Sequence, residues 1–193
     1  MKEFLAELRG AIFSTLILAV VCCGIYPLIV FGIGRVFADK ADGSLIVDAK
    51  GTVIGSKLIG QNFTADKYFH PRPSAAGNGY DSLNSGGSNL GPTSQKLADT
   101  IKQNVSDYRT QNNLPTNAPV PADAVTASAS GLDPHISVEN AQIQAPRVAK
   151  ARGLKVEVVT ALIPQYTDPA DLGFLGDPGV NVLRLNLALD GMK

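Results

Sequence analysis

Two stretches of this chain place polar and glycine residues closely enough to do chemistry: Gln61-Asn62-Phe63-Thr64, and Ser85-Gly86-Gly87-Ser88-Asn89-Leu90-Gly91-Pro92. The second ends where a helix is predicted to begin, so its backbone N–H groups can hold an anion or a partner's carboxylate. The same glycines also suit a tight turn that needs positive φ. The sequence contains no Gly-x-x-x-x-Gly-Lys-Ser/Thr phosphate loop, no Gly-x-Ser-x-Gly elbow and no Ser-x-x-Lys pair. His70 and His135 each adjoin a proline, outside any metal-ligand spacing, and are expected in turns. Asp66, Asp81, Asp123 and Asp133 form no evident acid–base pair. No catalytic residue and no metal ligand is therefore expected. Cys22 and Cys23 are adjacent, which excludes a disulfide framework or a cysteine-based zinc site within one chain. With 17 basic and 17 acidic residues the formal charge is zero, so a strongly basic nucleic-acid binder is excluded.

The elements that must hold these stretches begin with an apolar run. From Gly10 to Gly34 there are 25 positions without a charge. As a helix they reach about 37 Å, enough to cross a hydrocarbon core about 30 Å thick with some tilt. Val36-Phe37-Ala38 offers a small-residue cleavage site, but the run is longer than an ordinary signal h-region, so an uncleaved anchor is expected. Lys2 and Arg9 precede the run and Arg35 and Lys40 follow it, so basic residues do not orient it. The short leading tail favours a large domain outside. Ala11, Thr15, Ala19 and Cys23 recur every four residues with Ser14 beside them, a stripe that lets two helices approach closely in lipid. Pro27 is expected to kink the helix or end its regular part.

The remainder reads as one mixed domain, 36–193, after a tail and span, 1–35. Leu45–Val47 and Thr52–Ile54 suggest a hairpin about a Lys50-Gly51 turn. Residues 61–94 form a long Gly/Ser/Asn-rich loop region, in which Phe63, Tyr68, Phe69 and Tyr80 either pin the loop to a core or dock it on a partner. Helices are predicted from a Thr93 or Ser94 cap to about Asn112, from Asp123 to Ala129, from a Ser137 cap through Arg152 and from Val156 to Tyr166. Pro146 should bend or interrupt the third of these. Val180–Leu189 fits a strand by the alternation of Leu183, Leu185, Leu187 and Leu189, and a helix by Val182, Leu185 and Leu189 with Asn181 as cap; the strand is favoured. The fold class is α+β: a single N-terminal transmembrane helix followed by one mixed α/β extracytoplasmic domain.

Ordered blocks then carry a resemblance. They are Tyr26-Pro27-Leu28, Gly43-Ser44-Leu45-Ile46, Leu58-Ile59-Gly60-Gln61-Asn62-Phe63, Tyr68-Phe69-His70, Ser85-Gly86-Gly87-Ser88-Asn89-Leu90, Val125-Thr126-Ala127-Ser128-Ala129-Ser130-Gly131-Leu132-Asp133 and Pro146-Arg147-Val148-Ala149. Together they resemble the C-subunit family of Kdp-type potassium-transporting P-type ATPases along nearly the whole chain. The resemblance implies an accessory, non-hydrolytic subunit in the bacterial inner membrane, with a periplasmic C-terminal domain. Its implied partners are a channel-like A subunit, an ATP-hydrolysing B subunit and a small F subunit. The family is described as a catalytic chaperone that raises ATP affinity of the B subunit; ATP and K+ then act on the complex, and no cofactor is bound covalently here. The chain lacks the Asp-Lys-Thr-Gly phosphorylation motif. The Ser85-Gly86-Gly87 run also resembles the signature loop of ABC transporters, with Asn84 displacing Leu83 and Ser88 in place of the usual Gln. The expected sites are thus Ala11, Ser14, Thr15, Ala19 and Cys23 for helix packing, and Gln61, Asn62, Phe63, Ser85, Gly86, Gly87, Ser88 and Asn89 as a partner- or nucleotide-linked loop. The rival readings are a membrane-anchored hydrolase using Ser128 or Ser130, and a passive periplasmic binding module.

Overall fold

The computed structural model describes residues 2–192. It divides into two compact units, one up to Leu45 and one from Ile46 onward. In the first, α1 (Lys2–Val20) and α2 (Tyr26–Val36) are joined by a π-helical turn, Val21–Ile25. Its cause is Pro27. A proline has no N–H to give the carbonyl four residues back. The ladder widens just before it, and the Tyr26 N–H reaches back five residues to the Val21 carbonyl. The regular α-helix therefore ends at Val20, as the proline predicts. Ala6–Val36 is long and apolar enough to cross a membrane, and none of it is buried. A short helix, α3 (Ala38–Ala41), follows, and Arg35 pairs with Asp42 at 2.8 Å.

A hairpin of β1 (Leu45–Val47) and β2 (Val53–Ser56) begins at the boundary and lies, but for Leu45, in the second unit. The Asp48 carboxylate accepts the N–H groups of Lys50 and Thr52, both at 2.8 Å, and so closes the turn. No helix or strand occurs from 61 to 94. Ser94 caps α4 (Gln95–Gln111) by accepting the Leu97 N–H. Next come α5 (Ala122–Val125), β3 (His135–Ser137) and α6 (Val138–Arg152). Then follow α7 (Val156–Leu162) with a 3-10 turn, Ile163–Tyr166, β4 (Thr167–Asp168), β5 (Gly179–Asn181) and α8 (Val182–Asp190). The second sheet is antiparallel in the order β3-β5-β4, with Ile136 opposite Val180 and Asp168 opposite Gly179.

The core lies where α6, α7 and α8 meet this sheet. Ala141, Ala145 and Val148 face Leu185, Leu189, Val159 and Ile163, with Phe69 from the long loop fully buried among them. Each large apolar side chain so buried contributes roughly 1.5–3 kcal/mol. The small alanines of α6 let its backbone come close to its neighbours.

Three expectations require correction. Val180–Leu189 is mainly a helix: Asn181 Oδ1 caps it by accepting the Arg184 N–H at 3.1 Å, and Val182, Leu185 and Leu189 form its buried side. Only Gly179–Asn181 is strand. The segment after Asp123 is helical only to Val125, where the chain turns extended at Thr126 (φ −114°, ψ 135°). Pro146 does not interrupt α6, because it and Gln142, whose carbonyl it leaves free, both face solvent.

Candidate functional site

The long loop is not a solvent loop. It is threaded between helices, starting at Phe69 and His70. Asn186 of α8 accepts the Phe69 N–H at 2.8 Å and donates to the Phe69 carbonyl at 2.9 Å. On the next residue, Gln144 of α6 accepts the His70 N–H at 2.7 Å and donates to the His70 carbonyl at 3.1 Å. Two carboxamides thus do for this extended segment what neighbouring strands do in a sheet. Arg147, on the same face of α6, donates from Nη1 to the carbonyls of Asp66 (2.7 Å) and Tyr68 (3.0 Å). Its Nε and Nη2 bond Asn112 and Gln144. Asn140 completes the row: its Oδ1 accepts from the Tyr108 hydroxyl and from Gln144, both at 2.8 Å, and its Nδ2 donates to Asp123. Burial, with the nearby Arg147 charge, holds His70 below the ordinary histidine value. Burial also pushes the Tyr108 and Tyr80 hydroxyls up, so both remain protonated donors.

A second junction ties the loop to 126–134. Ser74 Oγ donates to the Gly131 carbonyl at 2.6 Å, while within the loop the Tyr80 hydroxyl donates to the Arg72 carbonyl at 3.0 Å. The Ser85 hydroxyl and the Gly86 N–H both donate to the Ser130 carbonyl at 2.9 Å. Gly131 has φ +67°, and a Cβ there would come within 2.7 Å of both the Ala76 Cβ and the Gly86 carbonyl oxygen.

A charge chain runs from this junction across the sheet. Arg72 Nη1 bonds Asp133 at 3.0 Å; Asp133 accepts the His135 N–H at 2.9 Å; His135 Nε2 meets Asp168 at 2.9 Å; Asp168 pairs with Arg184 at 2.9 Å. His135 lies on β3 and Asp168 on β4, with β5 between. The ring crosses because Gly179 has no side chain: a Cβ there would lie 3.0 Å from the His135 Cβ. The Asp133 carboxylate, whose Oδ1 also lies 3.7 Å from the ring Nδ1, raises His135 above its ordinary value against the effect of burial, with Asp168 adding to the rise. Burial alone would raise Asp133, but the bonds from His135 and Arg72 outweigh it and lower it.

Of the loop residues named from sequence, Asn62 and Phe63 join one polar cleft of about 380 Å³, with Arg72, Tyr80, Tyr108 and Asn104 in its wall. Gln61 lies away from it, donating to the Ile54 carbonyl at 2.7 Å beneath Gly55. Ser85, Gly86 and Gly87 build the junction with 129–130 instead, and Ser88 and Asn89 are exposed, Asn89 at φ 50°. The helix start lies beyond them at Ser94, and the Gly86 N–H is already engaged. Arg72 lines both the cleft and a second, more open hollow of about 660 Å³, where Ser128 and Ser130 lie. Ser130 Oγ accepts the Leu132 N–H, while the ring nitrogens of the histidines engage Ala65 and Asp168, so neither imidazole is bonded to these serines. Arg72 Nε is a buried donor with no acceptor among the described residues. Among the described residues no three His, Cys, Asp or Glu converge as metal ligands would. The aromatics pin the loop: Phe69 is in the core, and Phe63 packs on Tyr68 with ring centroids 5.1 Å apart.

In the span, Ala11, Ser14, Thr15, Ala19 and Cys23 are all exposed. Ser14 and Thr15 turn their hydroxyls back to the Gly10 and Ala11 carbonyls, each at 2.8 Å. Both groups are thus satisfied within their own helix, as an apolar solvent requires.

Sequence reasoning missed Asn140, Gln144 and Arg147 as a set. The available signal was their spacing, which puts three polar side chains beside Ala141, Ala145 and Val148 on the buried face of α6. It also missed the His135–Asp168 pair, which placed a histidine on a strand rather than in a turn.

These features define a class: a small α+β head, stitched together by its own loops, on one candidate membrane helix. Comparison with known proteins gives the family. Residues 8–191 match the family described as KdpC: K+-transporting ATPase, c chain. The chain is 55% identical over 185 residues to the potassium-transporting ATPase KdpC subunit of Mycobacterium tuberculosis (strain H37Rv), covering 95% of this chain and 97% of that protein. It is 50% identical over 193 residues to the protein of that name from Koribacter versatilis, covering 100% and 96%. For the one from Rhodospirillum rubrum the figure is 56% over 167 residues, covering 86% and 85%. The chain belongs to the KdpC family.

Proposed function

We propose that this chain is the accessory subunit of a high-affinity, ATP-driven potassium-uptake complex in a bacterial inner membrane. The observation that carries the reading is the extent of the match, which takes in the apolar helix and the head together. In this reading α1 and the turn after it pack through the Ala11–Cys23 stripe on a channel-like A subunit. The head stands on the periplasmic side, flanking the ion entrance. The chain supplies no group to ATP hydrolysis, which belongs to the B subunit, and a small F subunit completes the assembly.

Its support of ATP binding is conformational. A head outside cannot touch a nucleotide across about 30 Å of hydrocarbon. The chain must instead favour one of two states of the catalytic subunit through the spans. The Ser85–Asn89 loop, bonded at its start to Ser130, acts as a brace within the head rather than as a nucleotide contact.

The test replaces Ala11, Thr15 and Ala19 together by Leu and measures recovery of the complex. Loss of co-purification is expected; undiminished recovery refutes the packing role. Protease added to spheroplasts should remove a tag placed after the C-terminus, and protection would put the head inside. The complex prepared without this chain should show a raised KM for ATP.

A further inference from the structure

Between β4 and β5 the chain makes a knuckle that shows its apolar side chains to solvent. Leu172 is 83% exposed, Phe174 74% and Leu175 51%. The knuckle is built rather than slack. The N–H of Asp171 donates to the Leu175 carbonyl and the N–H of Leu175 to the Asp171 carbonyl, both at 2.9 Å. Gly173 and Gly176 take φ +82°, and Leu172 itself sits at φ +54°, a conformation unfavourable for leucine. A sequence that holds a leucine this way in order to expose it sacrifices stability for position. The base is fixed as well: Asp168, where the knuckle leaves β4, is held by both His135 and Arg184.

The charges that the knuckle itself carries are of one sign. Asp171 and Asp177 flank it, both exposed, and no Lys or Arg occurs between Asp168 and Leu183. Two copies meeting tip to tip would face like charge with like, and anionic lipid would be repelled in the same way. A complementary surface has an apolar hollow with a basic rim. We propose that residues 171–177 dock the head on another subunit of its complex, with Leu172 and Phe174 seated in an apolar pocket rimmed by Lys or Arg. This inference rests on the reading of the chain as a subunit, and identifies the contact that reading leaves open. Few side chains carry most of an interface's energy, and large ones at its centre dominate.

The test is photo-crosslinking in cells making the whole complex, with p-benzoylphenylalanine introduced at Phe174 and, as a reference, at Ala19. The expected product joins position 174 to another subunit, in a peptide containing Lys or Arg near the crosslink. Asp171→Lys with Asp177→Lys should lower its yield at least about fivefold. Leu172→Ser with Phe174→Ser should weaken recovery of the complex while the head keeps its melting temperature, since neither side chain is buried. A crosslink to lipid or to a second copy overturns the proposal. So does no crosslink at position 174 while position 19 still crosslinks to the complex, and the subunit reading then stands. If neither position crosslinks and the chain does not co-purify, the subunit reading fails together with the docking site.

Discussion

Asn186 bonds both backbone polar groups of Phe69, accepting its N–H at 2.8 Å and donating to its carbonyl at 2.9 Å. Both residues are buried, so water cannot replace either bond. Asn186→Leu removes both partners, and each buried group left alone costs about 1–3 kcal/mol. The expected loss is about 2–6 kcal/mol in urea unfolding followed by tyrosine fluorescence. An unchanged midpoint would show that the Phe69 segment is held by its ring alone.

Arg147 gives its fork of donors to the carbonyls of Asp66 and Tyr68 and to two side chains. A lysine has the charge but not the planar geometry. Arg147→Lys should therefore behave almost as badly as Arg147→Met, and both should speed tryptic cleavage after Lys67. Rescue by lysine would mean that charge, not geometry, holds the loop.

The two histidines should give opposite pH slopes. His135 titrates above its unfolded value of about 6.5, so its stabilising share is complete below that pH and is lost as pH rises through the native value. His70 titrates below it, so its share is present above about 6.5 and is lost as pH falls through the lowered native value. Their joint contribution peaks near pH 6.5. His135→Gln should flatten the alkaline limb of a stability–pH curve, and His70→Gln the acid limb. Swapped or unaltered limbs would refute these assignments.

Gly131→Ala places a Cβ within 2.7 Å of Ala76 and the Gly86 carbonyl at a positive φ. Strain of this kind costs about 1–3 kcal/mol before any overlap. The variant should lose at least that much and expose the 74–86 loop to proteolysis, measurable by mass spectrometry of early fragments.

The Thr15 hydroxyl bonds its own helix at Ala11. Thr15→Val keeps the volume and should leave recovery of the complex unchanged, whereas Thr15→Leu should lower it. Equal loss from both would show that the hydroxyl, not the size, matters.

The helices of the head were legible where a local signal exists. Ser94, Ser137 and Gly153 mark ends of α4 and α6 because a cap is a contact within a few residues. Val180–Leu189 leans to strand in the sequence because leucine at alternate positions satisfies both periods, and only the core on one side selects the helix over Val182–Asp190. The span and its break before Pro27 were readable, since missing charge and a missing N–H are properties of the residues themselves.

The sequence alone determined an apolar helix of spanning length, a mixed head, an ordered set of blocks and a long loop carrying aromatics. It could not show that Gln144 and Asn186 grip adjacent residues of that loop from two helices. It could not show that His135 reaches Asp168 over Gly179, or that Leu172 is turned outward. Those pairs lie 33 to 117 residues apart in the chain where they bond at all. Propensity and periodicity act over one or two turns; a hydrogen bond between distant segments exists only once the core has brought them together.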